Sequence, residues 1–168
     1  YLLQGKANQA LDLYDRLLAE DERSPKLWNE RGVCLHQSGS INDAETSYRR
    51  ALEMDPAYAL AWNNLGVVRL HRGDPDGAES SFREAVALRP GFTDAWCNRG
   101  LMYLRRARHG AALDAYREAL RANPEAAAAW NGIGAVLMET RRYEEARNAF
   151  VRAVEADPDH AEARYNLS

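Results

Sequence analysis

Residues 59–92 read ALAWNNLGVVRLHRGDPDGAESSFREAVALRPGF. In the first half Trp62, Leu65, Gly66 and Val68 recur at helical spacing. In the second half Ala78, Phe82, Ala85 and Val86 fall at i, i+4, i+7 and i+8, which is one apolar stripe. Asp74 before Pro75 has the form of an N-cap residue followed by proline at the first helical position. Gly73 marks the turn between the two stripes. Arg89-Pro90 stops the second helix, because the residue before a proline resists helical geometry. The stretch therefore predicts two helices joined by a tight turn.

The same arrangement recurs along the whole chain. Trp28, Trp62, Trp96 and Trp130 stand 34 residues apart and are all four tryptophans of the sequence. Gly32, Gly66, Gly100 and Gly134 follow each of them at one interval, then Ala44, Ala78, Ala112 and Ala146. Tyr48, Phe82, Tyr116 and Phe150 come next, followed by Ala51, Ala85, Ala119 and Ala153. Pro56, Pro90, Pro124 and Pro158 close the units. A fixed period of this length is the signature of a repeat architecture. No window sustains period-two alternation, so no strands are predicted. A glycine inside a helix costs about 1 kcal/mol relative to alanine, so its retention at position 66 and its counterparts predicts close approach of a neighbouring helix.

These residues closely resemble the tetratricopeptide repeat family. Its pattern has Trp at position 4, Leu-Gly at 7 and 8, an aromatic at 11 and 24, Ala at 20 and 27, and Pro at 32. Counted from Pro25, the full repeats are 25–58, 59–92, 93–126 and 127–160. Residues 1–24 match the back of an earlier repeat, with Tyr1 and Gly5 in register, and 161–168 begin a further one. The resemblance implies an all-α fold: a single array over 1–168, a right-handed superhelical solenoid of antiparallel helix pairs. Arg31 and Arg99 depart from leucine at position 7, and Arg69 from the aromatic at 11. Ala107 and Arg141 depart from the turn glycine. Looser packing is expected at those points.

A repeat stack presents an extended concave surface, which in the family is lined by the first helix of each repeat. The resemblance carries the role of a peptide-binding groove onto Asn29, Glu30, Asn63, Asn64, Val67, Leu70, His71, Asn98, Leu101, Arg105, Asn131 and Met138. The asparagines among them share positions 5 and 6. An amide both donates and accepts, so a ladder of amides suits a peptide backbone, as in the repeat arm of peptide O-GlcNAc transferases. The clamp that grips a C-terminal carboxylate in chaperone-binding arrays is not expected, because both registers lack its cations.

The expected function is a scaffold that binds an extended peptide or a helix of another protein. The alternatives are a substrate-recruiting arm of a larger enzyme, such as a peptide glycosyltransferase, and a self-assembling module joined end to end through Leu2, Leu3 and Leu167. A net charge of −3 argues against a nucleic-acid partner. No apolar run is long enough for membrane insertion. No phosphate loop or catalytic signature occurs, so no enzyme activity, cofactor or metal is expected. His36 and His71 are expected to face the groove together, but a metal site would want a third ligand, for which Cys97 and Glu30 are only remote candidates. Cys34 and Cys97 form no disulfide framework or metal spacing, which makes a reducing, cytoplasmic setting the default. Arginines such as Arg72, Arg105 and Arg142 fall near the turns within helix pairs. Acidic residues such as Asp55, Glu125 and Asp157 fall near the turns between pairs, so one edge is expected to be positive and the other negative.

Overall fold

The computed structural model describes the backbone of residues 2–167 and the side chains of residues 9–167. The expectations attached to Tyr1, Leu2, Leu3 and Gly5 lie outside those side chains. Ten helices account for the described chain: α1 (Leu2–Glu20), α2 (Pro25–Gln37), α3 (Ile41–Met54), α4 (Ala59–His71), α5 (Pro75–Leu88), α6 (Thr93–Arg105), α7 (His109–Ala122), α8 (Ala127–Glu139), α9 (Tyr143–Ala156) and α10 (Ala161–Leu167). No described helix is long and apolar enough to cross a membrane. The helices group into two compact units, Tyr1–Leu88 and Arg89–Ser168.

The helix ends follow from local chemistry. The Ser24 hydroxyl accepts from the Leu27 amide at the start of α2, and Pro25 occupies the first helical position. Asp74 Oδ1 accepts from the Gly77 amide at 2.9 Å, capping α5. The turns between paired helices need one residue with positive φ. Gly39 and Gly73 supply it at 86° and 77°, whereas Ala107 and Arg141 are held at 53° and 60°. A left-handed conformation costs a side-chain-bearing residue about 1–2 kcal/mol. Ala107→Gly and Arg141→Gly are therefore expected to stabilise the protein by about 1 kcal/mol each. Each should raise the midpoint of thermal unfolding by about 2–4 °C; an unchanged or lower midpoint would show that those turns are not strained.

Each tryptophan fastens a loop as well as filling space. The indole N–H donates to the backbone carbonyl six residues earlier: Trp28 to Glu22, Trp62 to Pro56, Trp96 to Pro90 and Trp130 to Pro124, at 2.8–2.9 Å. A proline cannot continue the preceding helix, and its carbonyl is left free to receive this bond. In three of the four cases the acceptor is the proline that closes the preceding unit.

In the first unit, consecutive helices α1 to α5 pack on one another, and α2 also reaches α4, while α3 and α5 make no such approach. Its core gathers Leu35, Tyr48, Leu52, Leu65 and Val68 around Ala44, Ala51 and Ala61. In the second unit α6 to α10 pack in the same way. There α6 meets α8 and α8 meets α10, while α7 and α9 stay apart. Within each unit the first helices of the pairs thus converge and the second helices splay, which makes the first-helix side the hollow side. The position-8 glycines permit this pairing. A Cβ built on Gly66 would lie 2.5 Å from Phe82 Cε1, and one on Gly100 would lie 2.7 Å from Tyr116 Cε1.

The arginine departures are accommodated differently from the expected loosening. Arg31 donates to Asp15 Oδ1 at 2.6 Å and to the buried Ser47 hydroxyl at 2.9 Å. Arg69 donates to the Gly77 carbonyl at 3.0 Å and to the buried Ser81 hydroxyl at 2.8 Å. Ser47 and Ser81 occupy the same place in their repeats, opposite the intruding guanidinium. In the third repeat that place is Ala115, and Arg99 donates instead to the Tyr103 hydroxyl at 3.0 Å, while the Nε atoms of both Arg69 and Arg99 are buried without an acceptor.

Glu45 is 4 % exposed. Its carboxylate takes Arg49 at 2.8 Å and 3.0 Å on one oxygen and Arg72 on the other, with Arg69 Nε at 3.6 Å. Burial raises the Glu45 pKa, but the hydrogen bonds and charges of Arg49 and Arg72 outweigh it and hold the carboxyl below its ordinary value. Position 21 is Glu79, Leu113 and Arg147 in the other repeats, so this cluster belongs to the first pair alone and joins it to α4.

Candidate functional site

The hollow side of the first unit carries amide and imidazole pairs. Asn64 Nδ2 donates to Asn29 Oδ1 at 3.0 Å, and Asn29 Nδ2 donates to Glu30 Oε1 at 3.3 Å. Asn29 is fully buried and Asn63 is 6 % exposed. His36 Nε2 lies 2.8 Å from His71 Nδ1, with ring centroids 4.9 Å apart. One of these rings must be neutral to accept the shared proton, and burial together with His71 lowers the His36 pKa. Val67 and Leu70 are half-buried beside these pairs.

In the second unit the same bond recurs between Asn166 Nδ2 and Asn131 Oδ1 at 3.0 Å, and Asn131 also donates to Glu162 Oε2 at 3.3 Å. Here the helices leave an open hollow of about 550 Å³. Asn98, Leu101 and Leu104 of α6 line it, with Ala128, Gly132 and Ala135 of α8 and Glu162, Tyr165 and Asn166 of α10. Tyr116 of α7 forms part of its floor. Cys97 lines it too, but burial pushes its thiol up to about 12, so it carries no reactive thiolate at neutral pH.

The predicted groove residues therefore divide. Asn98, Leu101 and Asn131 come together in the hollow of the second unit. Leu101 is 39 % exposed. Arg105 and Met138 lie exposed towards the C-terminal ends of α6 and α8, outside its lining. The position-5 residues Asn29, Asn63 and Asn131 are buried, and Asn131 at the same time borders the hollow. Within their own units Asn29 and Asn131 face the next repeat and accept its position-6 amide. A buried amide must be paired, so the periodic asparagines first of all staple repeat to repeat. Sequence reading missed the depression at Ala128, Gly132 and Ala135. Its signal was present: three small residues stand on one helix face where the other repeats carry larger ones. No group of three or more potential metal ligands occurs among the described residues.

Paired helices in 34-residue register define an all-α helical-repeat protein. Sequence profiles of the tetratricopeptide repeat family match residues 1–44 and 37–93, and a second profile matches 103–168, and the chain belongs to that family. No curated protein matches it in sequence. Solved structures with the same fold include MamA, at 25 % identity and TM-score 0.79 over 94 % of this chain and 92 % of that one. TTC0263, a thermophilic TPR protein of Thermus thermophilus, has TM-score 0.81 at 19 % identity, over 97 % of this chain and 89 % of its own. YrrB, described as a TPR protein with an unusual peptide-binding site, has TM-score 0.73 at 21 % identity, over 96 % of this chain and 83 % of its own.

Proposed function

We propose that this chain is a protein-interaction module that holds an extended peptide of a partner protein on the first-helix side of its repeats. The observation that carries this reading is the hollow of the second unit, lined at repeat spacing by Leu101, Asn98 and residues of α8 and α10. A concave, largely apolar surface with a few polar groups is the common form of a ligand site. Leu101 and Met138, at 39 % and 45 % exposed, are large apolar side chains left to solvent near it. The family likeness supports an interaction role, and the peptide reading rests on this chain's own residues. Hydrogen bonds worth about 1 kcal/mol each, together with burial of such side chains, reach a micromolar affinity of about −8 kcal/mol.

Alanine substitution of Asn64 is a poor test, because it also removes the donor that satisfies buried Asn29. A cleaner test selects binders from a random library of displayed peptides and compares Leu101→Asp with Arg83→Asp, a change on the exposed face of α5. Leu101→Asp is expected to weaken binding by about tenfold or more, roughly 1.4 kcal/mol, and Arg83→Asp to leave it unchanged. Equal loss in both variants, or no peptide selected at all, would refute the proposal.

A further inference from the structure

The hollow of the second unit changes chemistry along its length. At its deep end the positions that carry Leu60 and Asp94, Asn64 and Asn98, and Val67 and Leu101 in the two preceding repeats carry Ala128, Gly132 and Ala135. A Cβ on Gly132 would run into the Tyr116 ring, so the missing side chain is what brings that ring to the floor. The result is a depression with a Tyr116 floor, small residues on α8, and Leu101 and Leu104 on α6.

Through Cys97, Ala128 and His160 this depression runs into a second one of about 590 Å³, lined by Asp94, Glu125 and Asp157. Glu162 stands on the wall of the first. All four carboxylates are exposed. Arg89 is the one arginine in the lining, and its guanidinium is stacked on Phe92, 3.4 Å from the ring centroid. Residues of the first turns of α6 and α8 also line this end. A helix N-terminus carries about half a positive charge, so these two ends and Arg89 together do not cancel the three carboxylates of the second depression. An apolar seat thus adjoins a trough of net negative charge.

We infer that the second unit recognises an extended peptide in which a large apolar side chain neighbours a lysine or arginine. The apolar side chain enters over Tyr116, and the cation pairs with Asp94, Glu125 and Asp157. This rests on the peptide-binding reading above and gives that ligand its chemistry. The selectivity is opposite in sign to that of a site for acidic chain ends.

The test is fluorescence anisotropy of the full chain with synthetic extended peptides. They carry Leu, Phe or Ala at one position and Arg, Ala or Glu at either neighbour. Peptides with Leu or Phe beside Arg are expected to bind about tenfold tighter than those with Ala beside Arg or Leu beside Glu, and the advantage of Arg should shrink with added salt. Ala128→Leu with Ala135→Leu fills the seat using residue types that the register already holds at Leu60 and Leu101, so the fold tolerates it. That variant is expected to lose the apolar preference and keep the basic one. Asp94→Asn with Glu125→Gln and Asp157→Asn is expected to do the reverse. If peptides bind but favour acidic neighbours, or if neither variant alters the preference, this inference falls while the peptide-binding reading stands. If neither these peptides nor a random peptide library binds, both fall.

Discussion

Gly66→Ala is expected to destabilise the protein by about 2–3 kcal/mol, the upper range for overpacking a filled core. The new methyl would lie 2.5 Å from Phe82 Cε1, 2.7 Å from Cδ1 and 2.9 Å from Cζ, and Phe82 is fully buried. Neither partner has room to give way: the glycine is part of a helix backbone and the ring has no exposed surface. Thermal or urea unfolding followed by circular dichroism reads the loss, as a midpoint lowered by about 5–10 °C. Phe82→Ala alone is expected to cost about 3–5 kcal/mol through its cavity. The double variant Gly66→Ala with Phe82→Leu should be more stable than the sum of the single changes predicts, because the smaller side chain relieves the clash. Gly110→Ala is the control. Nothing lies within 4 Å of its Cβ position in α7, so it should be neutral or stabilising by up to about 1 kcal/mol. If Gly66→Ala behaves like Gly110→Ala, the close approach of these helices is not a constraint.

Glu45→Ala is expected to cost about 2–3 kcal/mol. Removing one partner of a fully buried ion pair costs about 3–5 kcal/mol. Here the figure is discounted, because the side chains of Arg49 and Arg72 are 59 % and 47 % exposed and water screens them. The loss comes chiefly from the bonds that Arg49 and Arg72 make to the carboxylate, with Arg69 Nε further away at 3.6 Å. The pH dependence has a fixed sign. The folded-state pKa of Glu45 is depressed, so its contribution is present above the unfolded value and is lost as pH falls through the folded one. The stability gap between the parent and Glu45→Gln should therefore be widest near neutrality and close as pH falls below the ordinary carboxylate range. Glu145, paired with Arg142 at 2.6 Å on the open surface, supplies the contrast, and Glu145→Ala should leave the unfolding midpoint unchanged. A gap for Glu45 that stays constant down to low pH would show that packing, and not charge, accounts for it.

Helix positions were legible in the sequence because they rest on local chemistry. Asp74-Pro75 starts a helix and Arg89-Pro90 ends one for reasons contained within a few residues. The pairing of Gly66 with Phe82 was legible in part: a glycine kept inside a helix signals a neighbour but does not say which ring it meets. The pairing of the position-5 asparagines was not legible, since periodicity gives which side chains share a face but not whether the next repeat covers that face. Asn29 and Asn131 accept bonds from residues 35 positions later, a distance at which no local rule applies. Arg31 and Arg69 looked like faults in the pattern, and their matching serines became meaningful only once the two helices of a pair were laid together.

By itself the sequence determined the period, the helix pairs and the all-α repeat class, because backbone capping, proline geometry and apolar periodicity are properties of neighbouring residues. Only the tertiary structure decided which amides are covered, which carboxylate is buried among arginines, and where the hollow side deepens. Those outcomes depend on the volume and polar groups that one helix presents to another, as when a missing side chain at Gly132 brings the Tyr116 ring to the floor of the second unit's hollow.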